Sequence, residues 1–528
     1  MSTGDLSKDL QKKSSKERQK MKKEFFISVF FDGTWNKGTE ESPQQSDTNV
    51  YALSCLSATG KKIVSKYENV MRCYTSVYVE GPGTAFDGET HEEIDEASFW
   101  KRVGQTIDKA VDWGEDKIGS VTGALTGTWH RGVVDKVAKG VSLVIQYLTP
   151  LQYAATDTYH FNVFGFSRGA ACARMFAYFV ARNPQMVTLD CEKSIQDYLL
   201  PCAKSIYDTK KGRLAFLENV SGHHNGVPTS NKSVDFLGLF DTVSSIGVKD
   251  KNDIMQYHSL NAEAYGLYSP HLLRVKRTFH ICAIDEFRKN FAVTDVGKNV
   301  PQRCIEVFVP GCHSDVGGGY EENENSTVFI RTKKDGKPTY IVTKDPRSPD
   351  KGKMEVSKKS LKSLGWATER TFWASVGDAM RKAGYGLVND DLHVLSFTHK
   401  VKRGLSNITM KMMWERVKKD IGESWHCNPF KALPKTGDFI VPDDLAKNYG
   451  KLFEVDEMEP QKRYWIIPGG SLDSDSYKKL RSEYIHFEAT DLPLMEIGFG
   501  PNWKDNLLCR IVYHGDKNDS GVYYMQDY

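Results

Sequence analysis

The sequence predicts an α/β fold in which a mainly parallel β-sheet is flanked by helices. The first observation is a set of short apolar runs, aromatic and β-branched, that end in a polar residue and a turn, as strands buried on both faces do. The second is that helical stretches separate these runs, notably residues 170–184. The third is size: a chain of 528 residues, 40% of them apolar, can bury a sizeable core in one large or two smaller domains.

Five of these runs are the predicted strands of the sheet. The first, FFISVFFDGT, is ended by an Asp-Gly turn, and the others likewise end in a polar residue. Runs that are apolar throughout indicate burial on both faces, which is typical of parallel sheets. The predicted strands cover residues 25–34, 160–169, 234–243, 277–286 and 305–315.

Changes in composition divide the chain into three regions. Residues 1–24 form a basic, Ser- and Lys-rich arm, predicted to be a disordered or loosely helical tail, with a docking arm as the alternative. Residues 25–325 form the predicted α/β core, with an insertion at about 85–150. Inside the insertion, residues 103–125 are amphipathic and either pack on the core or form a mobile lid. Residues 326–528 form a predicted accessory module.

The accessory module has two predicted elements. Residues 327–343 contain two β-rich arms around a Lys-Asp-Gly turn and predict a β-hairpin. Residues 368–384 have apolar side chains at helical spacing and a final glycine, which predicts an amphipathic helix. Residues 400–528 are rich in aromatic side chains but have weak periodicity.

Charge and cysteine content exclude several classes of protein. Lys plus Arg number 71 and Asp plus Glu 68, a near balance that argues against nucleic-acid binding. The ten cysteines form no C-x-x-C pair, which favours buried, reduced thiols in a protein that folds in the cytosol. The polar N-terminus lacks the apolar stretch of a signal peptide. The sequence also lacks a run of about 18 apolar residues, which a membrane span would require.

The segment GFSRG carries the predicted nucleophile, Ser167. It fits the G-x-S-x-G pattern, with a predicted strand before it and a helix after it, as a strand-to-helix turn that exposes a serine requires. Gly165 and Gly169 lack side chains because strand and helix approach closely there. The N–H of Arg168, at the N-terminus of the helix, is one natural donor to a reacting oxyanion.

A serine hydroxyl needs a base, and the hydrolase order is serine, acid, histidine. Asp241 ends one predicted strand and His313 follows another, so both would meet Ser167 at the carboxyl edge of the sheet. Asp285 and Asp315 compete for the role of the acid, although Asp315 is better suited to capping the following turn. His280 lies inside a predicted strand and is expected to be a core residue.

The loop after the first strand supplies the predicted second oxyanion donor. Its residues are Asp32, Gly33 and Thr34. A carboxylate facing an oxyanion would oppose catalysis, so Asp32 should turn away and brace the loop. The N–H of Gly33 or of Thr34 is then the donor. The predicted chemistry requires no cofactor, and we assign no metal ligand.

Seven blocks in this chain resemble, in order, the bacterial type VI secretion lipase effectors of family 1. The resemblance covers about residues 25–325 and implies an α/β-hydrolase fold. By position, it also implies a triad of Ser167, Asp241 and His313. The matching blocks are 30–37, 46–53, 78–84, 164–174, 236–247, 283–291 and 310–320.

The resemblance also implies a function and partners. It implies an antibacterial phospholipase, of A1 or A2 type, that removes acyl chains from membrane phospholipids. Such a toxin binds the secretion spike protein, leaves the producer cytoplasm for the periplasm of a target cell, and is neutralised by a cognate immunity protein. In this family, the region that corresponds to residues 326–528 is thought to help membrane docking.

Three alternatives remain open at the level of sequence. A serine esterase that acts on small soluble esters would use the same triad. A non-catalytic adaptor would keep the fold and bind a spike protein, although intact Ser167, Asp241 and His313 argue against it. A nucleotide-binding enzyme that uses GPGTAFDG is disfavoured because the segment lacks a P-loop lysine.

Overall fold

A computed structural model describes parts of the chain between Met21 and Tyr524. Residues 1–20 and 103–125, which include most of the predicted arm and the amphipathic part of the insertion, lie outside the described residues. The described residues are 21–34, 36–38, 47–65, 67–82, 133–151, 157–181, 232–244, 272, 275–288, 291–332, 341–343, 353–355, 366, 371–375, 393–422, 440–472, 474–488, 503–504, 507–508, 510–514 and 522–524.

An eight-stranded sheet forms the centre of the described structure, in the order β14-β8-β6-β5-β4-β1-β3-β2. Neighbouring strands are parallel except for β2, which is antiparallel to β3 at one edge. The prediction of a mainly parallel α/β sheet is confirmed, and each of the five predicted runs contains a strand. The sheet strands are β1 (Lys22–Phe31), β2 (Lys62–Ser65), β3 (Val70–Val79), β4 (Thr158–Phe166), β5 (Lys232–Phe240), β6 (Thr278–Ala283), β8 (Cys304–Val309) and β14 (Lys462–Trp465).

Helices cover both faces of this sheet. Alternate residues of one strand therefore enter different cores: Val163 packs on one side of β4 and Phe164 on the other. Helices α2 and α3 line the core that contains Val163, whereas α1 and α5–α7 line the core that contains Phe164. The helices are α1 (Asn49–Leu56), α2 (Val133–Leu148), α3 (Arg168–Ala181), α4 (His313–Gly317), α5 (Gly404–Ile421), α6 (Asp443–Tyr449) and α7 (Asp475–Tyr484). Among the described residues, no helix is both long and apolar enough to cross a membrane.

The remaining strands form small sheets, and they overturn two predictions. The predicted hairpin at 327–343 is wrong, because its first arm pairs with β13 and its second with β11. The predicted helix at 368–384 is wrong at its start, where the aromatic and β-branched sequence TFWAS pairs as a strand with β13. These strands are β7 (Val293–Thr294), β9 (Glu324–Thr332), β10 (Ile341–Thr343), β11 (Lys353–Glu355), β12 (Thr371–Ser375), β13 (His393–Val401), β15 (Trp503–Lys504), β16 (Leu507–Leu508), β17 (Ile511–Tyr513) and β18 (Val522–Tyr524).

The C-terminal part of the chain completes the main sheet. Strand β14 pairs in parallel with β8, so the sheet extends beyond the predicted limit of the core at residue 325. Arg463 on β14 donates to Glu306 on β8 at 2.6 Å and to Asp295 at 2.9 Å. Both carboxylates are fully buried. A buried charge needs a partner of opposite sign, so this arginine ties the late strand to the sheet.

Replacing Arg463 with methionine is expected to destabilise the fold by about 3–5 kcal/mol, because two buried carboxylates lose a cation. Burial alone would raise the pKa of Glu306, but Arg463 and His280 outweigh it and lower the pKa. The stabilisation from Glu306 is therefore complete above its ordinary pKa of 4.5 and is lost as the pH falls below it.

Urea unfolding of the Arg463→Met variant at pH 7 and pH 4 measures this effect. The deficit should be larger at pH 7. Lys462→Met on the same strand is the control, because Lys462 pairs with Glu459 on the surface and should not change the midpoint. Equal midpoints for the two variants would contradict the assignment.

Candidate active site

Ser167 lies on a strained turn between β4 and α3. Its backbone φ is 59°, a region that non-glycine residues rarely occupy. Its N–H donates to the carbonyl of Phe240 at 3.0 Å. A Cβ on Gly165 would lie 2.4 Å from the carbonyl oxygen of Gly169, so only glycine permits this approach of strand and helix. The turn therefore has the features of a nucleophile elbow.

Asp241 follows β5 and is completely buried. Its Oδ1 accepts from the N–H of Ala283 at 2.9 Å, and its Oδ2 is 2.6 Å from Nδ1 of His313. Nη2 of Arg510 donates to both oxygens at 2.8 Å. Burial alone would raise the pKa of Asp241, but Arg510 and His313 outweigh it and lower the pKa to about 2. The carboxylate is therefore ionised at neutral pH.

His313 is the first residue of α4 and is 2% exposed. Because Asp241 accepts from Nδ1, the lone pair of a neutral ring lies on Nε2. This nitrogen is buried and has no hydrogen-bond partner among the described residues. Burial lowers the pKa of His313 and outweighs the opposite effect of Asp241. A neutral imidazole with a free Nε2 can accept a proton.

Backbone and ring contacts bring the three predicted residues to one edge of the sheet. The carbonyl of Ser167 accepts from the N–H of Val243, so Ser167 is bonded to backbone on both sides of Asp241. The ring of Phe166, next to Ser167, packs on the imidazole of His313 with centroids 4.5 Å apart. Phe291 contacts the same imidazole edge-on at 5.0 Å.

The loop after β1 lies beside this turn. The carboxylate of Asp32 is held by three hydrogen bonds. Its Oδ1 accepts from Gly33 N–H and from the Thr48 hydroxyl at 2.7 Å, and its Oδ2 accepts from the Tyr78 hydroxyl at 2.6 Å. Burial raises the pKa of Asp32 to about 6, despite these hydrogen bonds. Because Gly33 N–H is used by Asp32, Thr34 is the better of the two predicted oxyanion donors. The Arg168 guanidinium donates to Thr34 Oγ1 at 3.0 Å.

The two competing carboxylates support the loop that leads to His313. Asp285 accepts from the N–H of Gly311 at 2.9 Å and from the hydroxyl of Tyr477 at 2.7 Å. Asp315 forms the capping interaction of α4, accepting from the N–H of Cys312 at 2.9 Å, and it also binds His486. Each carboxylate thus joins the loop to the C-terminal part of the chain.

His280, Cys282 and Glu306 form a buried group whose potential ligand atoms lie within 4.8 Å of one another. Nε2 of His280 accepts from the N–H of Thr242 at 3.1 Å, and Nδ1 lies 2.9 Å from Glu306. Burial and the charge of Glu306 raise the pKa of Cys282, which keeps the thiol neutral. In the described structure these three side chains therefore form a hydrogen-bonded network in the core.

Sequence reasoning missed the charged residues around His313. Glu286 accepts from the N–H of His313 at 3.2 Å and pairs with Arg288 at 2.7 Å. Both lie in the block at 283–291 that resembles the effector family, and this resemblance was the one sequence feature that pointed to them. No sequence pattern pointed to Arg510, because it lies in a region without clear periodicity and its partner Asp241 is 269 positions earlier.

A parallel sheet with helices on both faces and an elbow at its carboxyl edge is the architecture of an α/β-hydrolase-like protein. The chain belongs to the Tle1-like phospholipase effectors of the type VI secretion system, because the catalytic-domain model of this family matches residues 26–334. The prediction of this family is confirmed.

Two solved structures are similar to this chain. A Tle1 effector bound to the VgrG spike from the type 6 secretion system aligns over 96% of this chain and 89% of its own, with 16% identity and a TM-score of 0.44. An uncharacterized protein from Pseudomonas aeruginosa aligns over 87% of this chain and 55% of its own, with 16% identity and a TM-score of 0.36. No curated protein sequence matches the chain.

Replacing Gly169 with alanine is expected to destabilise the fold by about 1–3 kcal/mol, because the added methyl overpacks the elbow. The new Cβ would lie 2.1 Å from the backbone oxygen of Asp32, which cannot rotate away as a side chain could. Thermal unfolding measures the loss. Gly450→Ala is the control, because its Cβ meets nothing within 4 Å, and a similar loss in both variants would contradict the role of close packing at the elbow.

Proposed function

We propose that this protein hydrolyses acyl ester bonds of membrane glycerophospholipids with Ser167, His313 and Asp241. The observation that carries this proposal is the 2.6 Å contact between Asp241 and Nδ1 of His313, which leaves Nε2 free in the described structure. Membership of the phospholipase effector family supports the class of substrate.

The reaction follows from the roles of these groups. Nε2 of His313 takes the proton of the Ser167 hydroxyl as its oxygen attacks the ester carbonyl. The backbone N–H groups of Arg168 and Thr34 stabilise the oxyanion of the tetrahedral intermediate. His313 then gives its proton to the leaving lysophospholipid oxygen, and an acyl-enzyme remains on Ser167. A water activated by His313 releases the fatty acid.

Asp241 acts through His313. It accepts from Nδ1, holds the ring in the productive tautomer, and stabilises the imidazolium that forms during attack. The lowered pKa of Asp241, about 2, keeps this charge in place when His313 becomes protonated. The apolar rings of Phe166 and Phe291 exclude water from the imidazole, which strengthens the pair.

The proposed biological role is that of an antibacterial effector. The chain would bind the spike protein of the secretion machine, pass from the producer cytoplasm into the periplasm of a target cell, and degrade its membrane there. A cognate immunity protein would protect the producer. Family membership supports this role.

The Ser167→Ala variant is expected to lose hydrolysis and toxicity while it keeps its fold, because a methyl group cannot attack the ester. The test uses vesicles of a phosphatidylglycerol with two different acyl chains, followed by mass spectrometry of the products. One released fatty acid would assign A1 or A2 specificity. Wild-type rates in the variant would end the proposal.

A serine esterase for soluble esters is the alternative enzyme. The same phospholipid is therefore supplied below and above the concentration at which it assembles. A membrane-acting phospholipase gains rate sharply on assembled lipid, whereas equal turnover would favour the esterase. A folded wild-type protein without turnover on either form would favour the non-catalytic adaptor.

The pH profile of kcat/KM provides a further prediction. His313 must be neutral to accept a proton, and burial lowers its pKa from the ordinary value of 6.5. Activity should therefore fall only when the pH drops through this lowered value, so the acidic midpoint should lie below 6.5. An acidic midpoint at or above 6.5 would contradict the role of His313.

The Asp241→Asn variant should have a kcat lower by about 10⁴-fold, because an amide in place of the carboxylate leaves the imidazole in the wrong tautomer.

A further inference from the structure

We infer that Arg510 is a positioning residue for the acid of the triad, and that residues 510–514 therefore complete the active site. This inference rests on the proposed function, since it requires Asp241 to act through His313. The family's catalytic-domain match ends at residue 334, well before Arg510.

The contact between Arg510 and Asp241 is the first observation. A single nitrogen, Nη2, lies 2.8 Å from both carboxylate oxygens, and both side chains are at most 1% exposed. One of these oxygens also contacts Nδ1 of His313 at 2.6 Å. The guanidinium therefore determines where the carboxylate lies relative to the imidazole.

The rest of the guanidinium is the second observation. Nε and Nη1 of Arg510 are buried and have no hydrogen-bond partner among the described residues. Among the described residues, the Arg510 guanidinium therefore hydrogen-bonds to Asp241 alone.

The path of the backbone is the third observation. Strand β17, directly after Arg510, pairs in parallel with β7. Strand β7 in turn joins the acid loop, because the N–H of Thr294 donates to the carbonyl of Thr242 at 2.8 Å and Val293 bridges Val243. The C-terminal segment is thus linked to Asp241 by backbone hydrogen bonds as well as by charge.

Further contacts hold the C-terminal end of the same segment, at residues 513–514. Nδ1 of His514 lies 2.7 Å from the buried carboxylate of Asp295, and the N–H of Asp295 donates to the carbonyl of Tyr513 at 3.0 Å. Arg174 on α3, the helix that begins at the elbow, donates to the carbonyls of Thr294 and Asp295. These contacts limit the movement of Arg510 relative to Ser167.

The charge of Arg510 also affects the proton equilibrium of the triad. The other charged or titratable groups that interact with Asp241, His313 or Arg510 include Cys282, Glu286 and Arg288. Removing the cation leaves the negative charge of Asp241 less balanced, which makes imidazolium formation at His313 easier. The acidic limb of kcat/KM should therefore move to higher pH.

The experiment compares Arg510→Met and Arg510→Lys with the wild type on phosphatidylglycerol vesicles, with kcat expressed per folded molecule. We expect about a 100-fold lower kcat for the methionine variant, because the acid is no longer held in position. Its acidic midpoint should rise by a measurable fraction of a pH unit. Lysine retains the charge, so this variant should keep the wild-type midpoint and most of the activity.

Arg416→Met is the matched control. Arg416 is a buried arginine that pairs bidentately with Asp420, so its loss also breaks a buried ion pair. We expect this control to unfold at lower temperature but to retain the wild-type kcat and pH profile. A methionine variant of Arg510 that behaves like this control would overturn the inference.

Two further comparisons keep the result decisive. If Arg510→Met does not fold, the lysine variant is compared with Asp241→Asn, and an equally low kcat in both would overturn the inference. Ser167→Ala is measured in parallel. Turnover by Ser167→Ala at the wild-type rate would refute the triad itself. An inactive Ser167→Ala together with a fully active Arg510→Met would refute only the role of Arg510.

Discussion

The candidate site depends on one buried carboxylate. Asp241 is fully buried and remains ionised because Arg510, His313 and the N–H of Ala283 surround it. These partners come from the C-terminal segment, the first residue of α4 and the end of β6. A charge in such surroundings is costly unless it is paired and hydrogen-bonded, so the elements that carry its partners must pack together. The orientation of the imidazole follows from satisfying that charge.

The strands of the main sheet were predictable because each is encoded by a continuous run of neighbouring residues. A strand buried on both faces needs an apolar side chain at nearly every position, and this leaves a continuous run that the sequence displays. The failures at 327–343 and 368–384 have the opposite origin. Strand β13, which pairs with both β9 and β12, lies far along the chain, and no local pattern encodes which segments it will join. Tertiary pairing there prevails over turn and helix signals.

The same distinction holds for the site. Ser167, Asp241 and His313 could be named as candidates because each follows a buried strand, and parallel strands end at one edge. The residues that support them were not, since Tyr477, His486 and Arg510 lie in a region without clear periodicity and bond to partners 171–269 positions away. Nor could the sequence separate Gly33 from Thr34. That choice depends on the direction in which the Asp32 carboxylate turns.

The late position of β14 has a consequence for biosynthesis. Arg463 reaches Glu306 across 157 residues, so a ribosome that has not yet translated β14 holds a polypeptide whose β8 still exposes an unpaired edge. The elbow serine and His313 are both translated before β14, so a fragment that ends before Lys462 would carry them on a sheet that still lacks its edge strand.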